Sequence, residues 1–161
     1  NGQGRCIELL PPLGLDRGLP SLIADRVRII ASVNGFAQKA FNIVLLAHGS
    51  RRNPASREAT GWVAAEVAGL GVCRQVKAAF LEERPSLEEI AGTCAGPMVV
   101  VGMFSGEGLH GARDAPRLIA GLGRPDVVYA GVIGNAPGIG DLVVRAVRAA
   151  LEGRSTTVSG S

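Results

Sequence analysis

An α/β fold, with a parallel β-sheet covered by helices on both faces, is what this sequence predicts. Three observations carry the prediction. Short runs such as Asn42–Ala47 (NIVLLA) and Pro97–Met103 (PMVVVGM) are apolar throughout. The segments between such runs place apolar residues at helical spacing, and Gly-rich stretches mark the changeovers. A strand buried on both faces shows no polar side, so it reads as a continuous apolar run. Strands that alternate with helices close into a parallel sheet. With 161 residues the chain suffices for one domain. Its 47% apolar and 19% charged content excludes intrinsic disorder, and 4% aromatics argue against a β-sandwich core or a base-stacking surface.

The elements follow in order. Ile7–Leu10 is a short apolar stretch. Leu19–Ala31 sets Leu19, Leu22, Ile23, Val27 and Ile30 on one helical stripe, with Pro20 early, where a missing N–H costs little. Phe36–Phe41 connects, and Asn42–Ala47 is a strand. Ala55–Leu70 is a helix closed near Gly69 and Gly71. Val72–Leu81 is a strand. Ser86–Cys94 is a helix with Ser86 as its N-cap and Glu89 at the capping-box position. Pro97–Met103 is the clearest strand. Asp114–Gly121 is a short helix with Asp114 as its cap, Asp126–Ala130 a strand, and Ile139–Leu151 the last helix. Arg154–Ser161 is small and polar and reads as a frayed tail, so 153–161 is expected to be flexible.

One internal repeat stands out. Residues Ile7–Ile30 resemble Val127–Ala150 at a constant offset of 120. Gly14 matches Gly134, Gly18 matches Gly138, Leu22 matches Leu142, Val27 matches Val147 and Arg28 matches Arg148; Leu13, Leu19 and Ile23 meet Ile133, Ile139 and Val143. Two copies of a strand–glycine loop–helix unit are therefore expected, with one copy of what lies between them. Residues 1–41 read as an extra N-terminal βα unit, the remnant of a preceding half, and 42–152 as the main domain. Superposition of the two copies is expected to give one geometry. The unit's apolar stripe needs cover, either from the main domain or from a second chain.

Net charge is +3, and of the 17 basic residues all but Lys39 and Lys77 are Arg. No cluster exceeds Arg51–Arg52, so a nucleic-acid stripe is not expected. The apolar runs fall short of the ~18 residues that would span a membrane. Three cysteines, none in CxxC spacing, argue for a reducing, cytoplasmic setting and against structural zinc. No secretory signal opens the chain, and its start at Asn1 reads as a fragment or a processed product.

Ligands of open parallel sheets bind beyond the carboxyl ends of the strands. Both His lie there. His48 follows Asn42–Ala47 in AHGSR, and His110 follows Pro97–Met103 in FSGEGLHGARDAP. Gly49, Gly106, Gly108 and Gly111 beside them admit the close approach of a bulky ligand. Glu82, in AFLEERPSL, ends a third strand. Two imidazoles and a carboxylate suit an open site for zinc, iron, cobalt or nickel.

Taken together, AHGSR, AFLEERPSL, VVVGMFSGEGLHGARDAP and VIGNAPGIGDLVVRAV resemble the sirohydrochlorin chelatases, the small CbiX-type class II chelatases, over about Asn42–Leu151. The resemblance implies insertion of divalent cobalt or iron into sirohydrochlorin, on the route to cobalamin or sirohaem. It implies active-site roles for His48 and His110, metal binding by His48, Glu82 and His110, and a fold of two pseudo-symmetric halves. The metal is then a substrate, and no organic cofactor is expected. Ser50, Arg51, Gly106, Gly108 and Arg113 are the expected substrate contacts, since the macrocycle is rimmed with carboxylates that Arg pairs well; Arg52 is a further candidate. The short members of the family dimerise, so a homodimer through the Ile7–Ile30 unit is expected. The sequence departs from the family in GMFSGEG after Val101 and in lacking a first-half HGS element. Two rivals are a phosphohistidine enzyme, disfavoured because Ala47 stands where an Arg is needed, and a non-catalytic tetrapyrrole- or metal-binding remnant. Ser50 lacks the G-x-S-x-G elbow of a hydrolase nucleophile.

Overall fold

A computed structural model of the chain describes residues 7 and 9–157. Its elements are α1 (Leu19–Val33), β1 (Asn42–Ala47), α2 (Ala55–Gly69), β2 (Gln75–Phe80), α3 (Leu87–Thr93), β3 (Met98–Gly102), α4 (Ala115–Gly121), β4 (Val127–Val132) and α5 (Ile139–Thr157). The four strands form one parallel sheet in the order β2-β1-β3-β4. All residues of β1 and β3 are buried, which is why both read as unbroken apolar runs. The chain winds from β1 outward to β2, then returns to β3 and winds the other way to β4. Strand order therefore reverses between β1 and β3, and the crevice beyond their carboxyl ends is where such a sheet takes its ligand.

Strand alternation sorts the core into two layers. Ile43, Leu45, Val99 and Val101 face α1, α2 and the start of α5 through Ile23, Val27, Val63, Val67 and Leu142. Val44, Leu46 and Val100 face α3 and α4 through Leu87, Ile90 and Ala115. The capping box of α3 forms as the sequence predicts. Ser86 Oγ accepts from the Glu89 amide at 3.2 Å, and the Ser86 amide donates to Glu89 Oε2 at 2.9 Å.

Helix α1 is part of this core. Leu19, Ile23 and Val27 are buried, and Leu22 and Ile30 pack against them. Arg26 Nε donates to the Ala130 carbonyl at 2.6 Å, tying α1 to β4. The stripe expected at a contact between chains is covered by its own sheet instead. Ile23→Ala should then cost ~2–5 kcal/mol, as deletion of a fully buried aliphatic side chain does. At this size each kcal/mol lowers Tm by about 2–4 °C. A melting curve of the variant that overlays the wild type would make α1 an appendage.

Other boundaries differ from expectation. Ile7, Leu9 and Leu10 are exposed and not in a strand, because no neighbouring strand is there to pair with them. Strand β2 starts at Gln75, after a turn at Leu70–Gly71 and a bend at Cys73–Arg74. Helix α5 continues past Leu151 to Thr157, taking in the start of the expected tail; residues 158–161 lie outside the described residues. Among the described residues no helix is long and apolar enough to cross a membrane.

Candidate functional site

Beyond β1 and β2 the two chains stay joined. The amides of Leu81 and Glu82 both donate to the His48 carbonyl, at 3.2 and 3.0 Å. This brings Glu82 Oε1 to 3.3 Å from His48 Nε2. Gly49 makes the turn between His48 and Ser50 with φ +75°, and a Cβ there would stand 2.7 Å from Glu83 Cγ, so glycine is required.

Glu83, next to the expected ligand, is the buried carboxylate of the site. It accepts from the Ser50 amide at 3.0 Å and pairs with Arg57 of α2. The Arg57 hydrogen bond, then that of the Ser50 amide, hold its carboxyl below the usual range. The contribution of a depressed carboxylate is fully present above its ordinary pKa and is lost as pH falls through the lowered value. Glu83→Gln keeps an oxygen for the Ser50 amide and gives up the charge facing Arg57. Wild type should therefore melt above Glu83→Gln near neutrality, with the gap closing in acid. A gap of constant size in melts taken down the acid range would count against the ion pair.

His110 opens a single turn of π-helix, His110–Asp114, ahead of α4. The turn sets Asp114 Oδ2 2.9 Å from His110 Nδ1. A carboxylate only accepts, so the proton sits on Nδ1 and the lone pair on Nε2 is left for a ligand. The His110 hydrogen bond, followed by that of Arg113, holds the Asp114 carboxyl below its usual range. Asp114, expected as the cap of α4, makes no side-chain cap bond there. The His110 ring lies 4.7 Å from the His48 ring, centroid to centroid, and 6.1 Å from that of Phe104. The loop that carries it is fastened from behind by the Gly134 amide, which donates to the Phe104 carbonyl at 3.0 Å.

His48, Glu82 and His110 thus meet at one rim, above the point where strand order reverses. They do not form a preassembled metal cage. Among the described residues no three His, Cys, Asp or Glu are arranged to hold an ion. The physical reason is that His48 Nε2 faces Glu82 while His110 is turned by Asp114, so the donors pair locally instead of converging on one point. The buried Nδ1 of His48 has no protein partner among the described residues.

The expected substrate contacts are placed unequally. Arg51 Nε donates to the Glu82 carbonyl at 3.2 Å, and Arg113 Nε donates to Asp114 Oδ1 at 3.2 Å, so each guanidinium is held by a residue that itself partners one of the two His. Ser50 Oγ is already an acceptor for the Arg52 and Asn53 amides and shapes the turn. Arg51, Arg52 and Arg84 line an open cleft with Ser50, Glu82 and Glu83. At Gly106 and Gly108 an added Cβ would meet nothing within 4 Å, so no contact within the protein requires glycine at either position. Two side chains that touch the site, Glu83 and Asp114, are additions to the expected set. The H-x3-D spacing of His110 and Asp114 was the available signal for one; no signal in the sequence marks Glu83 as buried.

The family model described as CbiX matches residues 42–150. A probable sirohydrochlorin cobaltochelatase of Halobacterium salinarum is 24% identical over 154 residues, covering 87% of this chain and 52% of its own. The solved structure of CbiX, the terminal enzyme for biosynthesis of siroheme in denitrifying bacteria, superposes with a TM-score of 0.78 at 26% identity, over 88% of this chain and 61% of that one. SirB from Bacillus subtilis with Fe3+ shares the fold, with a TM-score of 0.74 at 18% identity, over 86% of this chain and 56% of that one. The chain spans about half the length of the curated relative it matches.

Proposed function

The chain belongs to the CbiX family, and on that premise we propose that it inserts divalent cobalt or iron into sirohydrochlorin. The observation that carries the reading is the facing of His48 and His110, 4.7 Å apart at the crevice between β1 and β3. Insertion releases two protons from the pyrrole nitrogens as the metal ion enters, so the reaction needs bases close to the ring centre. Imidazoles do this near neutral pH. His110, with its Nδ1 proton held by Asp114, offers Nε2 as the base or metal donor. His48 passes a proton to Glu82, and the two hold the incoming ion as it approaches. Arg51, Arg52 and Arg113 bind the peripheral carboxylates of the macrocycle. Nothing in the step is oxidised or reduced, so it needs no organic cofactor. Residues 42–152 form the catalytic half, 1–41 hold the last unit of a preceding half, and a cytoplasmic setting suits a substrate of this kind.

The test is to incubate the pure protein with sirohydrochlorin and divalent cobalt or iron and follow the absorption spectrum. Conversion to the metallated spectrum, faster than in the absence of protein, is expected. A spectrum that shifts on binding but never metallates would make the chain a tetrapyrrole-binding remnant.

A further inference from the structure

Strand β4 carries one residue more than the strand beside it. Tyr129 stands opposite Val100 and Val132 opposite Gly102, so Ala130 and Gly131 together face the single residue Val101. This is a β-bulge. Gly131 sits in it with φ +81°. Arg26 of α1 grips the bulge. Its Nε donates to the Ala130 carbonyl at 2.6 Å, and a Cβ at Gly131 would lie 2.9 Å from its Nη2. Glycine at 131 thus serves both the backbone and the guanidinium.

The extra residue changes the face on which Val132 lies. Strict alternation from Ala130, which packs in the layer of α1, would put Val132 in that layer too. The bulge sets it level with Gly102 instead, on the face of Val100, Tyr129 and Ala115. That face carries α4 and the π-turn ahead of it. Val132 is 1% exposed, yet it belongs to neither buried layer. Its neighbour is the π-turn itself. A Cβ at Gly111 would overlap Val132 Cγ2, and it would lie 3.7 Å from Val132 Cβ. Gly111 is buried, and its backbone lies outside the left-handed region, so conformation does not require glycine there. The contact with Val132 does. The start of the same loop rests on the same strand end. A Cβ at Gly134 would overlap the Ser105 carbonyl, and the Gly134 amide holds the Phe104 carbonyl. Both ends of the loop that bears His110 are therefore seated on residues that follow the bulge.

We infer that Val132, turned by the Gly131 bulge against Gly111, is a positioning residue for His110. It fixes how far the π-turn advances over the crevice, and so how closely the His110 ring approaches that of His48. The effect on rate rests on the proposed metal insertion. The placement of the ring does not, and it is read separately.

The test is a double-mutant cycle of Gly111→Ala and Val132→Ala in the full chain. Gly111→Ala forces the turn off Val132, and a misplacement on the order of 1 Å costs up to about 100-fold. It should lower kcat for cobalt insertion by about 10–100-fold with little change in KM. In the double variant the added Cβ meets Val132 Cβ at 3.7 Å, an ordinary contact, and most of the rate should return. The second readout needs no substrate. His48 and His110 are the only histidines, and their rings lie 4.7 Å apart. Histidine-selective labelling should then show a nuclear Overhauser cross-peak between the two rings. Gly111→Ala should lose it and the double variant regain it. A contact that only holds the fold would lower the melting temperature and leave the cross-peak in place. A folded Gly111→Ala protein that keeps the cross-peak overturns the inference, as does a wild type without one. So does a folded double variant in which the cross-peak stays absent, and this arm decides even where Gly111→Ala alone fails to fold. Should the wild type fail to metallate sirohydrochlorin, the proposed function falls and the cross-peaks alone decide the role of Val132.

Discussion

Replacing His48 or His110 with Ala is expected to slow the proposed metal insertion by ~10²–10⁴-fold, the range of a lost acid–base group. Melting temperature should hardly move. Both side chains are about half exposed on loops beyond the sheet, and neither belongs to the buried clusters. The double variant should be little worse than either single one, because the two imidazoles act on the same pair of protons and such losses do not add. Initial rates of metallation together with thermal melts give the check. If both variants lose rate and melting temperature in step, the pair holds the fold and does no chemistry.

Asp114→Ala is expected to cost ~10–100-fold in the same assay, the usual loss when the partner that orients a ligating His is removed. Without the carboxylate, Nδ1 of His110 loses its acceptor, and the ring is free to turn. Asp114→Asn keeps an oxygen for that proton and should recover part of the rate. The loss should fall on kcat more than on KM, since Asp114 acts through His110. A helix-capping role would show otherwise, as equal losses in both variants with a lower melting temperature. The missing cap bond at α4 speaks against that outcome.

Much of this was legible in the chain itself, for identifiable reasons. Asn42–Ala47 coincides with β1 residue for residue, because a central strand buried on both faces has no polar positions to blur its ends. Ser86 and Glu89 mark the start of α3 because a capping box is a purely local device. The two His were legible as a site because each follows a strand of one parallel sheet. Asp114 was misread because its position before a helix imitates an N-cap, and only the π-turn reveals that it reaches back to His110. The burial of Glu83 is not legible in the sequence because it depends on Arg57 and the Ser50 amide, which come from elsewhere in the chain. The fate of the α1 stripe was open for a similar reason: periodicity says that a face must be covered and not by which surface.

The burial of α1 also has a cost in time. Its apolar stripe rests on β3 and β4, and the last residues of β4 are made about a hundred residues after the helix is complete. At roughly 5–20 residues per second of synthesis, that is an interval of several seconds. Until β3 is made Leu19, Ile23 and Val27 lack the strand they rest on, until β4 is made that sheet is incomplete, and a single helix of this length is marginal in water. The nascent chain therefore carries a sticky segment that chaperones can occupy, and the whole layer must close late, through contacts distant in sequence. Refolding of the finished chain, where α1 and β4 are present from the start, is expected to escape the wait imposed by synthesis.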